Sequence, residues 1–182
     1  MQPMEKENSK KRFIESPKDF NREQLFDYIE DLCKRWLAHD GLWFLEVENE
    51  FGIETAIELD RRAWEKFSVV EARRIMKLLE IKQGGGLDAL ALALKFRLYA
   101  NINEQTIERP DSNTLIFTMN TCRVQEARKR KGLPDFACKP VGIVEYSNFA
   151  KAIDERIRTE CIFCPPDEHP ANAFCCWRFS ID

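Results

Sequence analysis

The pattern of apolar and turn-forming residues predicts an α+β protein: a helical layer followed by an antiparallel-sheet domain that carries helices of its own. Three observations lead there. In the first half of the chain, apolar residues recur every three or four positions over long stretches. Near the middle stands a glycine triplet, Gly84-Gly85-Gly86. Beyond it, short runs of β-formers are paired across turn clusters, with two helical patterns between them. At 182 residues the chain is long enough for one sizeable core.

Residues 1–15 read as a loose polar arm. Ser16-Pro17-Lys18-Asp19 predicts a helix start, with a hydroxyl cap, proline at the first helical position and an acid three residues after the cap. Leu25, Phe26, Ile29, Leu32, Cys33, Trp36 and Leu37 then share one stripe. Asp40-Gly41 is expected to break that helix, and Leu42 to Phe51 to form a short second one closed by Gly52. A longer helix is predicted from about Ile53 to Lys82, with Asp60, Trp64, Phe67, Glu71, Ile75 and Leu78 on its buried stripe. The two carboxylates in that stripe lie about 16 Å apart along the axis. Each needs an arginine, a backbone donor, water or a ligand, because burying a lone carboxylate is costly.

The glycine triplet lacks the preceding strand and the lysine of a phosphate loop, so it reads as a linker. The predicted organisation is therefore an arm (1–15), a helical part (16–86) and an α+β part (87–182). In the last, Leu87 to Leu94 is a short helix, and Phe96 to Glu108 pairs with Thr114 to Met119 across the turn residues 109–113. Cys122 to Lys131 is helical and ends at Gly132; Leu133 to Pro140 is a loop; Val141 to about Arg156 is an amphipathic helix. The chain closes with a second hairpin, its final strand alternating Cys175, Trp177, Phe179 and Ile181 on one side.

Composition narrows the function classes. Hydrophobic residues make up 44% and charged residues 32%, with a net charge of −3, which is a globular balance. The basic footprint of a nucleic-acid binder is missing, and the runs Lys10-Lys11-Arg12 and Arg128-Lys129-Arg130-Lys131 read as solvated faces. No apolar run approaches the roughly 18–20 residues that cross a bilayer, and the polar stretch Met1 to Ser16 has no signal-peptide core. The expected setting is the cytoplasm, with no membrane partner. Thiols stay reduced there, so the seven cysteines are not expected to form a disulfide framework. Six of them fall between Cys122 and Cys176, and that skew asks for a chemical explanation.

Cys161-Ile162-Phe163-Cys164 is a C-x2-C pair, a spacing that aims two thiolates at one ion at the roughly 2.3 Å bonds zinc prefers. Cys175 lies across the same hairpin. Cys138 stands at the head of a helix, where a thiolate is favoured. Cys138, Cys161, Cys164 and Cys175 are thus the candidate metal ligands, with zinc expected and iron the alternative. Cys175 and Cys176 are adjacent and face opposite sides of a strand, so only one of them can join. A redox or nucleophilic cysteine, or plain packing of thiols in the core, are the competing readings. His169, in the loop after Cys164, is a further nitrogen donor but is expected to be exposed; His39 is the only other histidine.

The segment Cys138-Lys139-Pro140-Val141-Gly142, Cys161 and the closing Cys175-x-Trp177-x-Phe179-x-Ile181 resemble the 4-vinyl reductase domain pattern across residues 95–182. The resemblance implies an α/β fold shared with haem-based nitric-oxide-binding and vesicle-trafficking domains, a small-molecule or metal-binding role, and dimers. It places its three cysteines on Cys138, Cys161 and Cys175, with Cys164 as an addition and Pro165-Pro166-Asp167 where that domain has a glycine turn. Across the whole chain, Asp40-Gly41-Leu42-Trp43-Phe44, Glu71-Ala72-Arg73-Arg74-Ile75, Cys122-Arg123-Val124-Gln125-x-Ala127-Arg128 and Cys161-x-x-Cys164-Pro165-Pro166-Asp167 resemble a bacterial and archaeal cytosolic family of uncharacterised proteins. That family is similar to the 2-amino-thiazoline-4-carboxylate hydrolase-like proteins.

Three functions are then in competition. The first is a binding module or sensor for a small molecule, with a thiolate-held metal beside a pocket furnished by Cys122, Arg123, Gln125, Arg128, Glu71 and Glu145. In this reading Arg128 pairs with Glu71 or with an anionic ligand, and Trp43, Trp64 and Tyr146 are candidate walls. The second is a metal-dependent hydrolase of a small cyclic or amide substrate, with Glu145 or Asp167 as general base and an open coordination position for water. The third is an interaction protein whose exposed apolar helix surface marks a homodimer face.

Overall fold

The structure, a computed structural model, describes residues 14–182. The arm expected over 1–15, apart from its last two residues, and the basic run at 10–12 lie outside the described residues. The architecture is α+β, as the pattern predicts. A helical hairpin is followed by a four-stranded antiparallel sheet and the helices that cover one face of it.

Ser16 does form a reciprocal capping box with Asp19, but it caps only a single 3-10 turn, Pro17–Asp19. Asn21 and Gln24 form a second capping box, and helix α1 (Arg22–Phe51) starts there. The break expected at Asp40-Gly41 does not occur, and α1 runs on for 30 residues. A mid-helix glycine costs only about 1 kcal/mol, less than the propagation gained on either side of it. Gly52, at φ +85°, makes the real turn, and α2 (Ile53–Leu79) returns alongside α1. Trp36 of α1 stacks on Phe67 of α2, with ring centroids 5.9 Å apart.

The glycine triplet is a turn inside one core rather than a linker between two. Gly84 N donates to Ile153 O at 2.8 Å, and Ala72, Ile75 and Met76 of α2 share a core cluster with Phe149 and Ile153 of α5 (Lys139–Ile153). Helix α3 (Gly86–Leu94) follows directly. The strand expected from Phe96 begins later. Arg97 turns into the core, Leu98–Asn101 form a 3-10 turn, and β1 covers only Gln105–Asp111. Pro110 is tolerated because β1 is an edge strand, irregular between Glu108 and Asp111.

The remaining strands are β2 (Thr114–Met119), β3 (Arg158–Phe163) and β4 (Cys175–Ser180), in the order β1-β2-β4-β3. Helix α4 (Arg123–Arg130) links β2 to the loop before α5. The register sets Phe117 opposite Trp177 and Leu115 opposite Phe179. These four side chains are essentially fully buried on the face that α5 covers. Gly142 allows that close approach, since a Cβ there would lie 2.7 Å from the Trp177 ring.

Candidate functional site

One end of the sheet is where chain-distant segments meet. There β2 finishes at Met119, β3 finishes at Phe163 and β4 begins at Cys175, which pairs with Met119. Cys122 is the N-cap of α4 and Cys138 the N-cap of α5. Asp167 anchors the loop after β3 to α5 by accepting from Lys139 Nζ at 2.7 Å and from Cys164 N at 3.3 Å. Lys139 N also donates to Pro165 O at 2.9 Å. These ties deliver Cys164 to Cys138, and their sulfurs stand 3.5 Å apart as free thiols.

Cys122, Cys138, Cys164 and Cys175 line a single cavity of about 440 Å³ between the α1–α2 hairpin, α4, α5 and the sheet. Cys161 does not line it. That side chain packs against the main core on the same strand face as Trp177, its directly paired neighbour. The C-x2-C pair is therefore split, and Cys122 takes the place that spacing offers to Cys161. Of the three positions assigned by the 4-vinyl reductase resemblance, Cys138 and Cys175 reach the cavity. Cys176 turns to the other face of the sheet and accepts from Thr118 Oγ1 at 3.4 Å. His169 stays by its own loop, with Nδ1 3.1 Å from Pro170 O, and has no part in the cavity lining. Among the described residues, no three His, Cys, Asp or Glu side chains form a ready-made metal-binding group.

Three of these thiols, Cys122, Cys161 and Cys164, are held in the neutral form. Burial pushes Cys122 up to about 12, although backbone N–H groups of Gln125 and Val124 oppose it. Burial likewise raises Cys161 to about 11, with Lys139 pulling the other way. Cys164 is raised first by its contacts with Cys138 and Cys175 and then by burial. Beside the sulfurs, Trp177 also lines the cavity, and its buried Nε1–H has no hydrogen-bond partner. An orphaned donor of this kind costs about 1–3 kcal/mol unless something accepts from it.

The remaining pocket candidates fall into two groups. Gln125 and Arg128 line the cavity but are occupied as clamps. Gln125 exchanges hydrogen bonds with the Phe136 backbone at 2.8 and 2.9 Å, and its amide lies 3.6 Å from Cys138 Sγ. Arg128 grips Glu48 of α1 at 2.6 and 3.0 Å and Pro134 O at 2.9 Å. The expected Arg128–Glu71 pair is thus replaced. Glu71 instead accepts from Arg97 Nε at 2.9 Å, and Arg97 Nη2 donates to Glu145 at 2.6 Å. Glu71 does not line the cavity, whereas Arg123 and Glu145 do. Trp64 and Tyr146 are core residues that also line the cavity; Trp43 is 69% exposed and lies elsewhere. Asp167, bound to Lys139, has its carboxyl held below the usual range, which suits an anchor rather than a base.

Two further acids, Asp40 and Asp60, face the cavity from α1 and α2. Sequence reasoning marked Asp60 as a stripe carboxylate in need of a partner or ligand but did not foresee Asp40. Burial, reinforced by the nearby Asp40 and Glu145, pushes Asp60 up to about 7. The sequence signal for Asp60 was its place in an apolar stripe. Asp40 was masked by its reading as a helix breaker beside Gly41.

A family of unknown function, DUF6125, matches residues 18–181. The chain belongs to the DUF6125 family. The match takes in every element that lines the cavity, from α1 to β4, so the whole site lies inside the DUF6125 region. No curated protein matches the chain. No helix among the described residues is long and apolar enough to cross a membrane.

Proposed function

We propose that this chain is a binding module or sensor that takes a small molecule in the cavity beside a zinc ion held by cysteine thiolates. Cys138, Cys164 and Cys175 are the ligands of this reading, with Cys122 as the fourth. The observation that carries it is the convergence of four cysteines, from four separate segments, on one cavity. Two thiolates on a tetrahedral zinc with ~2.3 Å bonds stand about 3.8 Å apart, close to the 3.5 Å between Cys138 and Cys164. The donor set is all sulfur, which suits zinc, or iron in a thiolate site. Bound zinc would supply charge to keep the thiolates deprotonated. The unpartnered Trp177 N–H and the Arg123 side chain are available to a polar group of the small molecule, and Trp64 and Tyr146 to its apolar part.

Asp60 favours a second reading in the same place. A carboxyl that titrates near 7 is suited to accept a proton at neutral pH, so three thiolates and a water would make a hydrolytic site for a small cyclic or amide substrate.

Metal analysis with an absorption spectrum, on protein purified without added metal, tests the proposal. The expected result is one colourless zinc per chain, lost in Cys138→Ser and Cys164→Ser but kept in Cys176→Ser and Cys33→Ser. Visible bands would assign iron instead. Protein that carries no metal, and whose thiols react equally fast with and without added zinc, would sink the metal reading. Four sulfur ligands in a cobalt-substituted spectrum favour binding, and three favour hydrolysis.

A further inference from the structure

Helix α1 is 30 residues long, about 45 Å, yet none of its side chains is buried. The apolar stripe that the sequence assigns to a core is in the open. On α1, Leu25, Phe26, Ile29, Leu32 and Trp36 are 37–60% exposed; on α2, Phe67, Val70 and Leu78 are 38–73% exposed. The Trp36–Phe67 stack joins the two stripes into one face. The cavity is lined farther along α1, between Lys34 and Leu45, and none of these eight side chains is part of its lining.

These eight side chains present on the order of 700 Å² of surface, close to the ~800 Å² that each partner contributes to a standard interface. A single patch on a typical monomer is smaller, at about 300–600 Å². On α1, Glu30 and Asp31 are already paired with Lys34 and Arg35 of the same helix, so the apolar area is what asks for a partner. A two-fold axis that sets the hairpin of one copy against the hairpin of the other covers both apolar stripes at once. A patch that covers itself in this way is what an isologous contact requires.

We infer that the α1–α2 hairpin is a homodimer face, on which two copies of this chain build a four-helix bundle. The inference does not rest on the cavity or on any metal. Sedimentation of the full chain across a dilution series is the test, alongside Leu32→Asp and Leu78→Asp. The expected result is twice the mass of one chain at micromolar concentration and a single-chain mass for both variants. Their far-UV spectra should keep full helix content and their metal content should be unchanged. A wild-type chain that sediments singly at micromolar concentration, or folded variants that both remain dimeric, would overturn the inference. Should the variants unfold, hydrogen exchange on the unaltered chain decides. Protection of α1 amides that falls on dilution supports the dimer, and protection independent of concentration refutes it.

Discussion

Gly41 and Gly142 are both helical glycines, and both line the cavity, but they sit in opposite kinds of surroundings. Around Gly41, in α1, nothing lies within 4 Å of where a Cβ would be. Around Gly142, in α5, the same atom would meet the Trp177 ring at 2.7 Å and the Cys164 sulfur at 3.8 Å. The block formed by α5 and the sheet is packed to the limit, whereas α1 is an unburied arm. Among the described residues its ties to the rest include the Glu48–Arg128 pair, the Phe44–Phe136 contact at 4.8 Å and the Trp36–Phe67 stack. The cavity lies between a tightly packed wall that holds the thiols and a sparsely packed wall that holds Asp40 and Lys34.

The largest test of that contrast is at Arg97, which is 2% exposed and neutralises two buried carboxylates. Its guanidinium also lies 4.8 Å from the Phe149 ring centre and 5.3 Å from that of Tyr146. Arg97→Met should cost about 3–5 kcal/mol in denaturant unfolding, because Glu71 and Glu145 are left buried without their partner. A loss below 1 kcal/mol would mean that the packed block tolerates unpaired charge and is less closed than described.

Gly142→Ala comes next. Helix propensity alone favours the change by up to about 1 kcal/mol, but the clash with Trp177 should reverse the sign. A net loss of about 1–3 kcal/mol is expected from thermal unfolding. If Gly142→Ala proved neutral, the fit of α5 on the sheet would be looser than 2.7 Å implies.

Asp60 stands where the two regions meet and gives a pH signature. Its folded value of about 7 lies above the ordinary 3.8, so the unfolded chain ionises it more readily. Below about 4 both states are protonated and the group has no effect. As pH rises from 4 to 7 it destabilises the fold progressively, and above 7 the penalty is complete. Asp60→Asn should therefore stabilise the protein at pH 8 and leave it unchanged at pH 4, as read from unfolding midpoints. Equal effects at both values would remove the titration from the account. Under the proposed zinc reading, metal uptake should have its own pH dependence, since the raised thiols must release protons. Affinity is expected to fall steeply as the solution is acidified.

The smallest expected effect is Gly41→Ala, a gain of about 0.5–1 kcal/mol, since the helix there has room and φ is ordinary. Opposite signs for one substitution in α1 and in α5 would sharpen the contrast; matching signs would break it.

Much of this was legible before folding, and the boundary has a physical cause. Helical and strand periods are set by side-chain sequence within a few residues, so α2, α4, α5, the β3–β4 hairpin and the inward set Cys175, Trp177 and Phe179 could be read directly. So could the exposed apolar stripe of α1, although not its exposure: periodicity reports that a face is apolar and says nothing of what covers it. The partners of Glu71 and Arg128 and the choice of Cys122 over Cys161 depended instead on which remote segments end at the same edge of the sheet. The irregular register between Cys161 and Phe163 leaves Cys164, three residues beyond Cys161, at that edge, a displacement that no local pattern records. Local order is a matter of neighbouring residues, while a cavity is made by chain segments that only the folded core brings together.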